Sequence, residues 1–161
     1  MTFTITKEGV LFALAIYGAV LSTWNLISAI LKNQRAVRVT VGSKIPDFNG
    51  QTGAIWAHIE ATNIGQRPVT IKMIALELEG GGRLFNMQNA NHPGMEDTTL
   101  PITLADGQTA RLHQAYADIG RALISKGLTG KSKITPICQD SAGGIHRGEV
   151  WDADPRELVR M

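Results

Sequence analysis

The chain has 161 residues, 43% of them hydrophobic, a single cysteine and a formal net charge of +2. That length accommodates one domain of roughly 100 to 150 residues plus an anchor, and leaves no room for two full soluble domains. Without Lys7, Glu8 and Lys32, 14 basic and 13 acidic residues remain with both signs mixed. A nucleic-acid binder concentrates Lys and Arg on one face, so no nucleic-acid partner is expected.

The first element is a transmembrane α-helix. Val10 to Leu31 reads VLFALAIYGAVLSTWNLISAIL, without a charge, and at 1.5 Å per residue it covers about 33 Å, enough for a bilayer core of about 30 Å. A cleaved signal peptide is the competing reading. Its apolar region would be about 7 to 15 residues long and be followed by a small-residue cleavage site. The start MTFTITKE carries one lysine and no clear A-x-A site follows, so an uncleaved N-terminal anchor over residues 1–33 is expected. Lys32, Arg35, Arg38 and Lys44 follow the span against Lys7 before it. Basic residues stay on the cytoplasmic side, which places a single-pass protein in the inner membrane with its soluble domain cytoplasmic. The lone Cys138, which excludes an intrachain disulfide, agrees with a reducing compartment.

Ala15, Gly18, Ser22, Asn25 and Ala29 recur at steps of three and four, forming one stripe of small or hydrogen-bonding side chains on the helix. Such a stripe lets helices approach closely in lipid, with another membrane protein or a second copy as partner, and an amide needs a hydrogen-bonding partner there. The plainer alternative keeps Asn25 hydrated near the cytoplasmic interface beside Trp24. Trp24, Lys32, Arg35 and Arg38 are the expected membrane-interface residues, serving topology and anionic headgroups.

Past the span, alternating runs bounded by Gly, Pro, Asn and Asp predict a β-rich domain over residues 34–151. Ala36 to Val41 is the first strand. Ala54 to Asn63 is the second, with Ile55, Ala57, Ile59 and Ala61 on one face and Trp56, His58, Glu60 and Thr62 on the other. Pro68 opens the strand Val69 to Leu78, whose apolar parity switches and predicts a β-bulge near Met73 and Ile74. Gly80 to Gly82 turn the chain into Arg83 to Met87, and Gln88 to Asp97 reads as a loop. Leu100 to Leu104 and Gln108 to Gln114 read as a strand pair around Asp106-Gly107, a tight hairpin signal. A short helix is predicted with Asp118 accepting first-turn amides, Ile119, Ala122 and Leu123 on one face, and Gly127 at its C-terminal cap. Ser132 to Gln139 and Ile145 to Trp151 complete the strands. In the charged tail, residues 152–161, Asp154-Pro155-Arg156-Glu157 resembles an N-cap, N1 proline and N3 glutamate. The sum is a mainly β architecture: two packed sheets, an immunoglobulin-like β-sandwich with one short helix.

Several segments carry a resemblance: Ser22-Thr-Trp24-Asn25, Arg35 to Val41, Asn63-x-Gly65-x-x-Pro68-Val69-Thr70-Ile71, Leu100-Pro101 and Asp106-Gly107-Gln108. With them the chain resembles uncharacterised bacterial single-span membrane proteins that have a basic juxtamembrane segment and an immunoglobulin-like domain. The resemblance implies a fold and a membrane address, and no activity.

Chemistry-bearing motifs are sparse. Gly130-Lys131-Ser132 matches the end of a phosphate-binding loop, but position 125 is serine where the first glycine belongs, and helix precedes strand. His58, His92, His113 and His146 lack the local spacing of a structural zinc site. Cys138 lies in a strand-like run where a buried small hydrophobe is the usual role. Asp140 could orient a histidine, with no nucleophile placed beside it. Trp56 belongs either to a second packing layer or to an exposed binding anchor. No catalytic, cofactor or metal residues are assigned. The expected function is a membrane-tethered, non-enzymatic interaction or structural module, an accessory subunit of a larger membrane complex. The alternative is an extracytoplasmic small-ligand binding or sensor domain on the same anchor.

Overall fold

The computed structural model describes residues 7–32, 35–48, 51–85, 91–92 and 95–161, and the chain divides into one unit up to Gln34 and a second from Arg35 to Met161. The first unit is α1 (Lys7–Lys32), 26 residues with Glu8 in its first turn. Leu, Ala and Ile dominate it and no proline interrupts, so every interior amide finds its intrahelical carbonyl. Thr23 turns its hydroxyl back onto the Ala19 carbonyl at 2.8 Å, which satisfies that polar atom within the helix itself. Leu11, Phe12, Val20, Trp24 and Leu26 are all exposed. The helix is long and apolar enough to cross a membrane.

The second unit is mainly β. Its elements in order are β1 (Val37–Lys44), β2 (Asp47–Phe48), β3 (Gln51–Thr52), β4 (Trp56–Asn63), β5 (Val69–Leu78), β6 (Arg83–Leu84), β7 (Asn91–His92), β8 (Met95–Glu96), β9 (Ile102–Leu104), β10 (Thr109–Ala115), α2 (Tyr116–Ser125), β11 (Ser132–Asp140), β12 (Ile145–Arg147), β13 (Trp151–Ala153) and α3 (Pro155–Arg160). One antiparallel sheet has the order β1-β4-β10. The other is centred on β5 and β11, with β6 and β9 on the far edge of β5 and β12 and β13 on the far edge of β11. The two sheets share one core: Ala57, Ile59 and Ala61 of β4 and Ala110 and Leu112 of β10 join Ile71, Ile74 and Leu76 of β5 and Ile134 and Cys138 of β11. The strict alternation of buried and half-exposed residues along β4 is the period of two expected from its sequence.

The bulge in β5 is present one residue earlier than its parity suggested. Gln139 pairs with Met73 and Asp140 with Ile71, so Lys72 is the extra residue, which is exposed. The strand buries Val69 and Ile71 before it and Ile74, Leu76 and Leu78 after it. Asp106-Gly107 does not close a hairpin between its flanking strands. β9 pairs with β5 and β10 with β4, so this turn carries the chain from one sheet to the other. Gly107 donates its amide to the Asn63 carbonyl at 2.8 Å, which ties the crossover to the end of β4.

Within 88–97, expected to be loop throughout, Asn91–His92 pairs with Met95–Glu96, while residues 88–90 and 93–94 lie outside the described residues, as do 86 and 87 of the expected strand from Arg83. The run from Ile145 to Trp151 is two short strands rather than one. They flank Pro136 on β11, which has no amide to donate, and its carbonyl instead accepts from Gly148 at 2.9 Å.

The helix α2 begins at Tyr116 with Ala115 as N-cap, not at Asp118. Here β10 runs straight into the helix, Ala115 offers no side-chain cap, and Tyr116 donates the first open amide to the Ile55 carbonyl at 3.1 Å. Its C-terminus is as expected: Gly127 takes φ 81° and the Leu128 amide reaches back to the Leu123 carbonyl at 3.1 Å. Residues 152–161 are no separate tail. β13 adds to β11, and in α3 the Asp154 side chain accepts from the Arg156 amide, with Pro155 in the first turn. Ala153, Pro155 and Leu158 are buried, and the domain therefore carries a second short helix packed on the first.

Candidate functional site

The outward face of the three-stranded sheet brings polar side chains into direct cross-strand register: His58 opposite His113, and Glu60 opposite Arg111. Lys44 of β1 and the segment Glu96-Asp97-Thr98 complete the wall of a cavity of about 620 Å³. The segment holds onto β10 by its backbone. Thr98 donates its amide to the Arg111 carbonyl at 2.9 Å, the Thr98 hydroxyl accepts from the Arg111 amide at 2.9 Å, and Asp97 Oδ1 accepts from the His113 amide at 2.7 Å.

From this frame a continuous polar chain runs along the pocket. Asp97 Oδ1 lies 2.9 Å from His113 Nδ1, His113 Nε2 lies 2.6 Å from His58 Nδ1, and His58 Nε2 lies 3.0 Å from Glu60 Oε1. Arg111 Nε donates to the same Glu60 oxygen at 3.1 Å. Burial is graded along the chain: the His113 side chain is 1% exposed, that of Asp97 7%, that of His58 21% and that of Glu60 33%. Burial lowers the His113 pKa below the ordinary imidazole range, outweighing the opposing hydrogen bond from Asp97, and the positive charges of His58 and Lys44 add to the lowering. For Glu60 burial acts upward, but the bonds from His58 and Arg111 outweigh it and hold the carboxyl below its usual range.

These shifts have a stability consequence with a definite sign. A histidine whose folded pKa is lowered binds fewer protons than its unfolded counterpart, so its stabilising contribution is present above about pH 6.5 and is lost as the pH falls below it. Glu60 adds a second loss in the carboxylate range. Thermal unfolding of the full chain between about pH 6.5 and 5 should therefore show a falling midpoint, with the slope reduced in His113→Gln. An unchanged midpoint over that interval would contradict the linkage.

A second histidine meets an acid elsewhere. Asp140 is 5% exposed, accepts from the Ala142 and Gly144 amides at 2.9 and 2.8 Å, and lies 3.2 Å from His146 Nε2. Burial would raise this carboxyl, but the bonds from His146, Gly144 and Ala142 dominate and lower it. The aspartate thus closes the turn between β11 and β12. Cys138 is fully buried, and burial together with the Asp140 charge pushes its thiol up to about 12, which leaves it an inert core side chain at neutral pH.

The sequence-derived residues are spread over both units. Ala15, Gly18, Ser22, Asn25, Ala29 and Trp24 are on α1, Arg35 precedes β1, and Arg38 is an exposed β1 residue opposite Thr62. The side chains of Lys32 and His92 lie outside the described residues. Trp56 is half-buried at the start of β4, and Ser132, from the phosphate-loop comparison, opens β11 with its hydroxyl on the Gly130 carbonyl. Among the described residues, no group of three His, Cys, Asp or Glu side chains is placed to hold a metal ion. Sequence reasoning placed His58 and Glu60 together on the outward face but did not find Lys44, Asp97 or Arg111 as their neighbours, because pairing register is what joins them. No known family model matches the chain, and no curated protein is significantly similar to it.

Proposed function

We propose that the chain is a membrane-tethered, non-enzymatic interaction module whose α1 packs in a larger membrane complex while the β domain covers a cytoplasmic surface. The observation that carries this reading is the apolar helix α1, without a charge from Val10 to Leu31, with Ala15, Gly18, Ser22, Asn25 and Ala29 on one stripe and large apolar side chains exposed along it. Two sheets around one core support the immunoglobulin-like description of the domain. Charge asymmetry across the span supports a cytoplasmic domain in the inner membrane, with Trp24, Lys32, Arg35 and Arg38 at the interface.

Helix pairing is tested by substitution. Gly18→Leu should separate packed backbones, and Asn25→Leu should remove an interhelical hydrogen bond worth about 1 kcal/mol, whereas Val20→Ile, on the opposite side of the helix, should leave association unchanged. The readout is a membrane two-hybrid signal at matched expression, and equal association in all three variants would remove the helix from the argument. Sidedness needs a thiol other than Cys138, which is buried. A cysteine at exposed Lys131, in a Cys138→Ala background, should resist a membrane-impermeant maleimide in intact cells and react after lysis.

The cavity beside His58 and His113 favours a second reading, a small-ligand binding or sensor domain on the extracytoplasmic side. Labelling of the Lys131→Cys variant in intact cells would select it over the cytoplasmic module.

A further inference from the structure

The chain Asp97–His113–His58–Glu60 has a proton count that its geometry dictates. Three nitrogen contacts are made in series, to Asp97, between the two rings, and to Glu60. Each contact needs one proton, because an ionised carboxylate only accepts and a ring nitrogen without hydrogen only accepts. Two neutral imidazoles bring two protons; the three contacts need three. We infer that His58 and His113 form a proton-counting clasp that is closed while the two rings share one proton beyond neutrality and opens when that number changes in either direction.

The charged groups around the pair fit a single extra proton. Asp97 and Glu96 face it from the segment beside β10, Glu60 from β4, Arg111 from β10 and Lys44 from β1. Two carboxylates bracket the rings directly, while Lys44 and Arg111 oppose any further positive charge. A fourth proton would place His113 Nε2–H against His58 Nδ1–H where the nitrogens are now 2.6 Å apart, with ring centroids 4.5 Å apart and both rings charged. One ring must leave. His113 is buried and its neighbour Asp97 holds both its ring and its backbone amide, whereas His58 is a fifth exposed and borders the cavity. Acid therefore swings His58 into the cavity. Loss of the third proton in base has a different result: a bare His58 Nε2 meets the Glu60 carboxylate, which keeps Arg111 and lets His58 go. The device is a pH-responsive contact at the mouth of the pocket, independent of what the membrane helix binds.

The test is ring ¹⁵N spectroscopy of the full chain in lipid nanodiscs with labelled histidine, from about pH 5 to 8. Near neutrality His113 should show a protonated Nδ1 and an acceptor Nε2, with a through-hydrogen-bond N–N coupling to His58 Nδ1. On acidification that coupling should vanish as His113 Nε2 takes a proton, while His146, bonded to Asp140, follows its own course. Asp97→Asn removes the charge that favours a protonated His113, so the opening should move to lower pH. Three results would overturn the clasp: His113 protonated at Nε2 near neutrality, coupling that persists unchanged across the range, or two rings that titrate independently. If Asp97→Asn does not fold, the tautomers and coupling of the unsubstituted protein still decide between these outcomes.

Discussion

Replacing Asn63 with alanine is expected to destabilise the β domain by about 4 kcal/mol, since each buried partner left unsatisfied costs roughly 1–3 kcal/mol. Asn63 is the last residue of β4 and is fully buried. Its Nδ2 donates to the carbonyls of Arg67 at 2.8 Å and Leu104 at 3.0 Å, and its Oδ1 accepts from the Gly65 amide at 3.0 Å. One side chain thus holds the turn after β4 and reaches β9 in the opposite sheet. Alanine would strand three backbone groups. Asn63→Asp separates this account from simple loss of volume: it keeps an acceptor for Gly65 but sets an oxygen against two carbonyls, so it should be as damaging as alanine at neutral pH and partly recover when the carboxyl protonates. Urea unfolding of the full chain in mild detergent gives the midpoints. An Asn63→Ala midpoint close to that of the unsubstituted protein would show that the amide network contributes little.

Removing residues 154–161 should cost about 3 kcal/mol, of the order expected for exposing one large buried aliphatic side chain and the surface it covers. Leu158 is 6% exposed, the Met161 carbonyl accepts from the Ile55 amide at 3.2 Å, and α3 lies directly on Gly120 of α2. A side chain at position 120 has no room: a Cβ there would lie 2.7 Å from the Pro155 carbonyl oxygen and 2.9 Å from the Val159 amide nitrogen. Gly120→Leu should therefore displace α3 and reproduce most of the truncation's effect, since backbone rather than a flexible tip must move. Thermal unfolding of both variants checks this. A truncation that left the midpoint unchanged would mean the segment is only a charged tail, as its composition alone suggests.

Features that rest on neighbours in the chain were legible from the residues. The apolar run from Val10 to Leu31 needs only its own length and lack of charge to read as a helix long and apolar enough to cross a membrane. The alternation in β4 and the parity switch in β5 report which side of a strand is buried, and the C-terminal turn at Gly127 and the N-cap at Asp154 are local hydrogen-bond chemistry. What required the tertiary structure is everything set by strand register and by which sheet a strand joins. Asp106-Gly107 carries the same local signal whether it closes a hairpin or crosses between sheets, and only the partners of β9 and β10 distinguish the two. The same holds for the histidines. Parity sends His58 outward, but its opposition to His113 is a property of the β4–β10 register, and Asp97 reaches them from a segment 16 residues before His113. Periodicity along one strand encodes a face and says nothing about the residue across from it, so the domain's polar site appears only when the sheets are assembled.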